Sequence, residues 1–513
     1  MNVFGDIPRL NAKRYASKKA IIMGDEYLTF GQLNCLSNQL AYGLLSINVK
    51  PGDRVGLLAY NCLEYAIINF AVAKCGAILV PINFRFKERE LTYVINNSQP
   101  KILFFGPEFL ALVENTKSQF SVLPQLIPIA GKVLEAPRNL SSLMEGRSTS
   151  DPAIEVDSFS PATIIYTAGT TGFPKGVLHS HSAILSVNTG LIVEGDLCHK
   201  DLVLVALPLF HAAGLHMLLQ PPLEMGATAI LMGKGFDPEA FLDAIERYGI
   251  TLTMCAPTQL AMIANLQGVG KYNLSSLTKM WYGSSAISPS VLEAARKIFQ
   301  AGFYQWYGQT EAGIVLVLRP EDHAEHAHCT GREVFHAEVR VVDENGNDTP
   351  VGEVGEIVGS YKPLGMMGFY GNEEATKRVM RDGWIHTEDL ARVEGGGYFT
   401  VVDRLRDMII SGAENIYSKE IEDVILTHPA VKEVAVFGIP DEIYGESVCA
   451  VVVKHNGSSL TQQEVVDFCA SRIASYKKPK RVAFMDELPK NPTGKVTKNV
   501  LREPYWAGRK RRV

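Results

Sequence analysis

The sequence lacks any apolar run long enough to cross a membrane. Its most apolar long stretch, residues 66–82, contains Lys74 and Pro81, and it is shorter than the roughly 20 apolar residues that a transmembrane helix needs. The opening residues, MNVFGD, show no basic segment followed by an apolar core, so no secretory signal is expected. Repeats and low-complexity tracts are missing as well. We therefore expect a protein with no membrane span.

An excess of charge is also missing. The formal net charge is only -5, which gives no overall attraction to nucleic acid or to an anionic membrane. The eight cysteines include no Cys-x-x-Cys pair, a pattern typical of buried thiols in a reducing compartment. We expect a cytoplasmic protein that binds no nucleic acid, and we leave a homodimer open as its assembly.

Continuous apolar segments are abundant and alternate with helical patterns. Residues 202–207 (LVLVAL), 228–232 (TAILM) and 251–255 (TLTMC) read as strands without a polar face. Such strands, separated by helices, belong to sheets that are covered on both sides, which is an α/β architecture. At 513 residues the chain is too long for one core, so two or more domains are expected.

The pattern changes after about residue 330. Residues 338–343 and 354–358 read as short antiparallel strands separated by turn residues, which predicts a small antiparallel, barrel-like part. From 419 onward, helix patterns at 419–427 and 462–474 alternate with strand patterns over a length that suits a small α+β domain. The polar segment DRLRD (403–407) lies just before it. We place a large N-terminal domain at residues 1–405 and a C-terminal domain at residues 406–513.

One segment carries a chemical signal. Residues 166–177 (YTAGTTGFPKGV) follow the strand pattern ATIIYT and combine three glycines, hydroxyl side chains and Lys175. Glycines let a backbone approach a phosphate chain closely, and their N–H groups can donate to its oxygens. The composition therefore favours a phosphate-binding loop, and a surface turn is the alternative. The spacing Gly-x-x-x-x-Gly-Lys-Ser/Thr is absent, so this is not a Walker loop.

The same segment resembles, residue for residue, the phosphate-binding signature of the adenylate-forming superfamily, which includes acyl-CoA synthetases and luciferase. Other segments resemble that family's motifs in the family's order: the strip GSSA that packs on adenine, YGQTE, and HTED with a later arginine as the ribose clamp. The resemblance implies the following ATP-binding residues: Thr167, Gly169, Thr170, Thr171, Gly172, Lys175, Gly283, Ser284, Ser285, Ala286, Tyr307, Gly308, Gln309, Thr310, Asp389, Arg404 and Lys495.

The resemblance also implies roles in catalysis. Lys495 corresponds to the catalytic lysine of a mobile C-terminal lid, Glu311 to the magnesium ligand, and Thr167 and His211 to further catalytic positions. Arg406 would be the hinge, although relatives commonly have Asp or Lys there. Gly412 would line the pantetheine tunnel, although many relatives have a second glycine where this chain has alanine. The implied acyl-pocket residues are His211, Trp281, Tyr282, Gly308 and Ile314.

The function that follows is ATP-dependent activation of a carboxylic acid to an acyl-adenylate, with Mg²⁺, and transfer of the acyl group to coenzyme A. The expected acid is medium-chain, cyclic or aromatic. Two alternatives remain: a free-standing enzyme that loads a carrier protein, and a non-catalytic binding descendant. Outside these motifs, the run EDHAEHAH (321–328) with Cys329 is expected to be an exposed loop rather than a metal site.

Overall fold

The structure is a computed structural model that describes residues 1–129, 139–167, 173–285, 287–411, 414–490 and 496–507. Within these residues the helices are α1 (Ile7–Tyr15), α2 (Phe30–Ser46), α3 (Leu63–Lys74), α4 (Glu88–Ser98), α5 (Leu110–Thr116), α6 (Leu140–Met144), α7 (His181–Glu194), α8 (Gln220–Met225), α9 (Pro238–Tyr248), α10 (Pro257–Ala264), α11 (Pro289–Phe299), α12 (His323–His326), α13 (Glu373–Val379), α14 (Ser418–Leu426), α15 (Gln462–Ala470) and α16 (Lys498–Trp506).

The strands are β1 (Lys19–Met23), β2 (Glu26–Thr29), β3 (Arg54–Leu58), β4 (Ile78–Pro81), β5 (Ile102–Phe105), β6 (Gln125–Pro128), β7 (Pro161–Thr167), β8 (Lys175–Ser180), β9 (Leu202–Val205), β10 (Thr228–Leu231), β11 (Leu252–Cys255), β12 (Lys279–Gly283), β13 (Gly302–Gln309), β14 (Gly313–Leu318), β15 (Arg332–Glu333), β16 (Val339–Val342), β17 (Val354–Ser360), β18 (Gly368–Phe369), β19 (Met380–Arg381), β20 (Trp384–Val393), β21 (Phe399–Arg404), β22 (Ile409–Ser411), β23 (Glu414–Ile416), β24 (Val431–Asp441), β25 (Gly445–Lys454) and β26 (Arg481–Phe484).

Two mixed sheets form the body of the large N-terminal domain. One has the order β15-β14-β13-β12-β11-β9-β10-β1-β2, and the other has the order β18-β8-β7-β4-β3-β5-β6. Their central strands pair in parallel, and antiparallel strands extend the first sheet at both edges and the second sheet at its β8–β18 edge, whereas the edge strand β6 is parallel to β5. Helix α3 contacts β4 in one sheet and β1 in the other. It is therefore buried on nearly every side, which explains why residues 66–73 are apolar apart from Asn69. The α/β prediction is confirmed.

Two smaller sheets follow. Strands β16, β17, β19, β20 and β21 pair only antiparallel, as the sequence predicts. The last sheet has the order β23-β22-β25-β24, with β26 joined in parallel to β25, and helices α14 to α16 accompany it as the predicted α+β domain. The exact boundary between residues 405 and 406 stays a prediction.

Local sequence explains where several helices begin and end. Thr29 accepts a hydrogen bond from the backbone N–H of Gln32, whose side chain accepts from the Thr29 N–H, so α2 begins with a capping box. Asp237 caps α9, Pro238 occupies its first position, and Gly249 ends it in the left-handed region. No helix among the described residues is long and apolar enough to span a bilayer.

A partly buried carboxyl group on α8 makes a pH-dependent contribution to stability. Glu224 accepts a hydrogen bond from Asn188 at 2.9 Å, and burial raises the pKa of Glu224 to about 7 from 4.5. The folded state therefore holds this proton more tightly than the unfolded state. The resulting stability is fully present below pH 4.5, declines as the pH rises, and is lost above about pH 7.

We expect Glu224→Gln to imitate the protonated form and to remove this loss. The variant should be more stable than the wild type by about 2 kcal/mol at pH 8, with a much smaller difference at pH 5. Thermal unfolding at the two pH values measures the difference, with the exposed Glu344→Gln as the control. An equal gap at both pH values would contradict the assignment.

Candidate active site

A cleft of about 2610 Å³ runs between the sheets of the N-terminal domain and the C-terminal domain. Most of the sequence-predicted site residues that the structure describes line it. They are Thr167, Lys175, His211, Gly283, Ser284, Ser285, Tyr307, Gly308, Gln309, Thr310, Glu311, Ile314, Asp389, Arg404 and Arg406. Residues more than 200 positions apart in sequence thus meet in one place.

The phosphate-loop segment begins and ends on two paired strands. Thr167 ends β7 and Lys175 begins β8, and the two residues are directly opposed in the antiparallel ladder. The ladder therefore fixes both ends of the intervening loop. The predicted residues Gly169, Thr170, Thr171 and Gly172 belong to that loop and lie outside the described residues.

The far end of the loop is clamped by helix α4. The ring of Phe173 stacks on Tyr93 with centroids 4.5 Å apart, and the Arg89 guanidinium lies 4.8 Å from the Phe173 centroid. Lys175 Nζ lies 5.1 Å from the Phe369 ring centroid. Aromatic and cation–π contacts of this kind each contribute about 0.5–1.5 kcal/mol. The sequence indicated Phe173 as part of the motif, but not Arg89 or Tyr93 as its partners.

We expect Phe173→Ala to raise the KM for ATP about 3- to 10-fold, because the variant loses the ring contacts with Tyr93 and Arg89 that hold the segment leading to Lys175. Initial rates at varied ATP concentration measure this change. Phe159→Ala, at a side chain that is 71% exposed, serves as the control. An unchanged KM in the Phe173 variant would show that the stack does not position the loop.

Glu311 lies at the turn between β13 and β14. Thr167 Oγ1 is 3.5 Å from Glu311 Oε1, a long hydrogen bond. Burial raises the pKa of Glu311, and Lys175 and Arg404 lower it only in part. Gly308 permits this tight turn, since a Cβ there would lie 2.1 Å from the Gly313 carbonyl oxygen. Among the described residues, Lys175 and Arg404 therefore offset only part of the free-energy cost of burying the ionised Glu311 carboxylate.

Asp389 is the centre of a second polar cluster and is only 5% exposed. Tyr307 Oη and Gln309 Nε2 each donate to Asp389 Oδ2 at 2.8 Å, and Arg404 Nε lies 3.2 Å from Oδ1. The register of β20 and β21 places Asp389 directly opposite Arg404. Three donors from two strands, β13 and β21, therefore fix one carboxylate at the cleft wall.

The segment around Arg404 contacts the C-terminal domain through a hydrogen bond and an ion pair that the sequence did not reveal. Asp403 accepts from the Ser418 backbone N–H, and Asp407 pairs with Arg502 at 2.7 Å. Lys498 Nζ lies 2.7 Å from Glu422 and 2.8 Å from Ser418 Oγ. These charges are distant in sequence, so spacing alone gives no signal of their pairing.

Two predicted residues of that domain, Gly412 and Lys495, lie outside the described residues, as does Ala286 of the adenine strip. Val496, Thr497 and Lys498, which follow Lys495 directly, line the cleft. Val496 forms a bridge with Lys490, whose side chain pairs with Glu433 at 2.6 Å. The chain on either side of the 491–495 segment is therefore held at the cleft.

The structure differs from the prediction that Trp281 and Tyr282 line the acyl pocket. Trp281 and Tyr282 are 0% and 1% exposed and are absent from the described residues that line the cleft. Trp281 packs edge-on against Trp306 at 5.0 Å, and Tyr282 Oη is 3.0 Å from His323 Nε2. Both faces of this sheet are covered, so alternation along β12 sends both rings into cores rather than into the pocket.

The histidine-rich run also differs from the expectation of an exposed loop. A 3₁₀ turn at Pro320–Asp322 leads into α12, and His323 is only 3% exposed. His323 Nδ1 donates to the Arg319 carbonyl at 2.8 Å, while its Nε2 meets Tyr282. Burial of Tyr282 requires a polar partner, and His323 supplies it. No group of three or more His, Cys, Asp or Glu suited to a metal occurs among the described residues.

Comparison with known proteins agrees with this geometry. The family model described as AMP-binding enzyme matches residues 9–370, and the model described as AMP-binding enzyme C-terminal domain matches residues 420–495. A feruloyl-CoA synthase from an Amycolatopsis species is 37% identical over 98% of this chain and 99% of its own. The fatty-acid–acyl-carrier-protein ligase ScoC of Streptomyces coeruleorubidus is 33% identical over 98% of this chain and 96% of its own.

Among solved structures, the anthranilate CoA ligase AuaEII in complex with anthranoyl-AMP superposes with a TM-score of 0.92 at 27% identity, covering 98% of this chain and 97% of that one. The match therefore extends over the large domain, the cleft and the C-terminal domain together. Since a family model covers more than half of the sequence and close relatives align from end to end, the chain belongs to the AMP-binding enzyme family.

Proposed function

We propose that this protein is an AMP-forming acyl-CoA synthetase, an acid–thiol ligase that uses ATP, Mg²⁺ and coenzyme A. The observation that carries the proposal is the convergence of Lys175, Glu311, Asp389 and Arg404 on one cleft. Relatives named as CoA ligases align over nearly the whole chain, which supports the same chemistry here.

The first half-reaction needs positive potential. A carboxylate is a poor electrophile because its leaving group would be oxide, and attack on the α-phosphate of ATP turns that oxygen into part of a good leaving group. Two anions must meet for this step, so positioning and electrostatic stabilisation dominate the catalysis. Lys175 and the phosphate loop hold the triphosphate, Tyr307 and the 283–286 strip hold adenine, and Asp389 and Arg404 hold the ribose.

The residues around Glu311 fit a divalent cation. A carboxylate oxygen is a ligand that Mg²⁺ prefers, and the raised pKa of Glu311 reflects burial that Lys175 and Arg404 only partly offset. A bound Mg²⁺ would neutralise phosphate oxygens. Thr167 donates its hydroxyl hydrogen to Glu311 and would orient this carboxylate toward the cation.

In the second half-reaction the thiol of coenzyme A attacks the acyl carbon and AMP leaves. We assign Lys495 to the first step, bridging the substrate carboxylate and α-phosphate, Arg406 to the hinge, and Gly412 to the thiol tunnel. The ion pairs of Asp407 with Arg502 and of Lys498 with Glu422 would keep the hinge attached to the C-terminal domain as it turns.

The proposed acid is aromatic, cyclic or medium-chain. His211, Gly308 and Ile314 border the acyl side of the cleft beside small residues such as Ala213, and relatives named for feruloyl and anthranilate substrates support an aryl group. All eight cysteines are free thiols, which supports a location in the reducing cytoplasm.

The test is a panel of carboxylic acids supplied with ATP, Mg²⁺ and coenzyme A, in which AMP release is followed and the thioester is identified by mass. We expect acid-dependent AMP release and an acyl-CoA product. Parallel reactions with purified acyl carrier proteins test the alternative acceptor, which the similarity to ScoC favours. Failure of every acid to cause AMP release would overturn the proposal.

A further inference from the structure

Two neighbouring histidines on the acyl side of the cleft have ring nitrogens without a partner among the described residues. His179 lies on β8 and His216 on a π-helical turn at Ala213–Leu219. Both line the cleft, and each is only 6% exposed. Their rings meet edge to face, with centroids 5.7 Å apart. The unpartnered atoms are Nδ1 of His179 and Nε2 of His216.

The hydrogen-bonding role of His179 is fixed by its other nitrogen. His179 Nε2 lies 2.7 Å from the carbonyl oxygen of Thr310, and since a carbonyl can only accept, Nε2 carries the hydrogen. Burial lowers the pKa of His179 to about 4, so the ring is neutral at pH 7. Its Nδ1 is therefore an acceptor that lacks a donor.

His216 can supply a hydrogen-bond donor beside the acceptor of His179. Burial, with smaller contributions from His179 and His211, holds its pKa well below the usual range, so it too is a neutral imidazole. A neutral ring with hydrogen on Nε2 offers a donor beside the His179 acceptor. Both nitrogens are covered from water in the present ring orientations. The torsion that turns the His216 imidazole is soft and roughly two-fold, so that ring can turn Nε2 toward the cleft while His179 keeps its hydrogen bond to Thr310.

His211 also acts electrostatically on His216, but neither unpartnered nitrogen has a hydrogen-bond partner among the described residues. The residues that line this part of the cleft are mostly apolar: Ala183, Ile184, Val187, Ala213, Met217 and Ile314. A buried polar atom without a partner is costly, and a native structure that retains one calls for an explanation. A hydroxyl group can satisfy both ring nitrogens, because it donates one hydrogen bond, to Nδ1 of His179, and accepts another, from Nε2–H of His216.

We propose that His179 and His216 form a hydroxyl-binding site in the acyl pocket, and that the acid activated by this enzyme carries a hydroxyl on its acyl portion. The hydroxyl donates to Nδ1 of His179 and accepts from Nε2–H of His216, at about 2.8 Å from each nitrogen. A ketone or methoxy oxygen could satisfy only His216, and a methyl group neither. This inference rests on the proposed function and narrows its substrate class.

The test compares acids that differ only by a hydroxyl. Cinnamate, benzoate and cyclohexanecarboxylate are assayed beside their hydroxylated forms at each ring position, by acid-dependent ATP–pyrophosphate exchange. We expect at least one hydroxylated acid to exceed its parent in kcat/KM by about 10- to 100-fold, since the parent leaves both imidazoles unpaired.

Variants assign the preference to the ring pair. His216→Phe should bring the ratio between the hydroxylated acid and its parent close to 1, chiefly by lowering kcat/KM for the hydroxylated acid. His216→Asn, which retains a hydrogen-bonding side chain, should keep part of the ratio. His181→Phe is the matched control, because His181 is also buried with both nitrogens unpartnered but does not belong to the described cleft lining.

The outcomes separate the two proposals. If acids drive exchange but no hydroxylated acid exceeds its parent by more than about twofold, the hydroxyl site is wrong and the ligase assignment stands. The same holds if the ratio persists unchanged in both folded His216 variants. If no acid drives exchange or AMP release, the ligase assignment fails and the hydroxyl site fails with it.

Discussion

Replacing Lys495 with alanine is expected to lower acid-dependent ATP–pyrophosphate exchange by at least about 10²–10³-fold, because the adenylation step loses a preorganised cation between two anions. The fold should be unaffected, since the neighbouring chain is held by Val496 and by the Lys490–Glu433 pair. Conversion of a supplied acyl-adenylate and coenzyme A to the thioester should persist, because that step does not join two anions.

The two half-reactions are therefore measured separately, by pyrophosphate exchange and by thioester formation from the synthetic adenylate. Lys480→Ala is the matched control: it removes a lysine of the same domain that already has a carboxylate partner, Asp441, and that is not among the described residues lining the cleft. Exchange that survives in Lys495→Ala would remove this lysine from the reaction. Parallel loss of both half-reactions would instead point to a general defect of the C-terminal domain.

The second large effect is expected at Glu311. Glu311→Gln keeps the size of the side chain and removes its charge, so we expect adenylation to fall by about 10²–10³-fold, with a higher Mg²⁺ requirement. Exchange assays over a range of Mg²⁺ concentration measure both effects. Glu373→Gln, at a carboxylate that is 92% exposed on α13, is the control.

The pH dependence of adenylation provides an independent test of the role of Glu311. Because burial raises the pKa of Glu311, the carboxylate becomes protonated at a higher pH than an exposed glutamate does. Wild-type adenylation should therefore decline as the pH falls through this raised pKa, and the residual activity of Glu311→Gln should not show that decline. A glutamine variant that keeps activity within tenfold and keeps the wild-type profile would exclude Glu311 as the metal-binding carboxylate.

The architecture could be predicted from the sequence because its signals are local. Apolar runs such as 202–207 and 251–255 become strands β9 and β11, and the segments that resemble family motifs line one cleft. Helix ends were less accurate: the pattern at 462–474 predicts a longer helix than α15, which ends at Ala470. Residues 471–474 continue as a turn in which the Arg472 and Ile473 N–H groups both donate to the Cys469 carbonyl.

Side-chain direction could not be predicted in the same way. Trp281 and Tyr282 precede the adenine strip in sequence, yet covered faces on both sides of β12 direct them into cores. The pairing of Asp407 with Arg502 joins residues about 95 positions apart, and the His179–His216 contact depends on how a strand meets a π-helical turn. Such relations arise from packing and have no signature in spacing.

The cluster around Asp389 has a consequence for how such enzymes diversify. Tyr307, Gln309 and Arg404 all contact that one carboxylate. A substitution at any of these four residues would therefore leave the remaining ones without a partner, so we expect the four to be substituted together or not at all. Apolar wall residues such as Ala213, Met217 and Ile314 share no side-chain hydrogen bond of this kind. Enzymes that evolve to activate a different acid should therefore keep the Asp389 cluster unchanged and accumulate single substitutions among the wall residues.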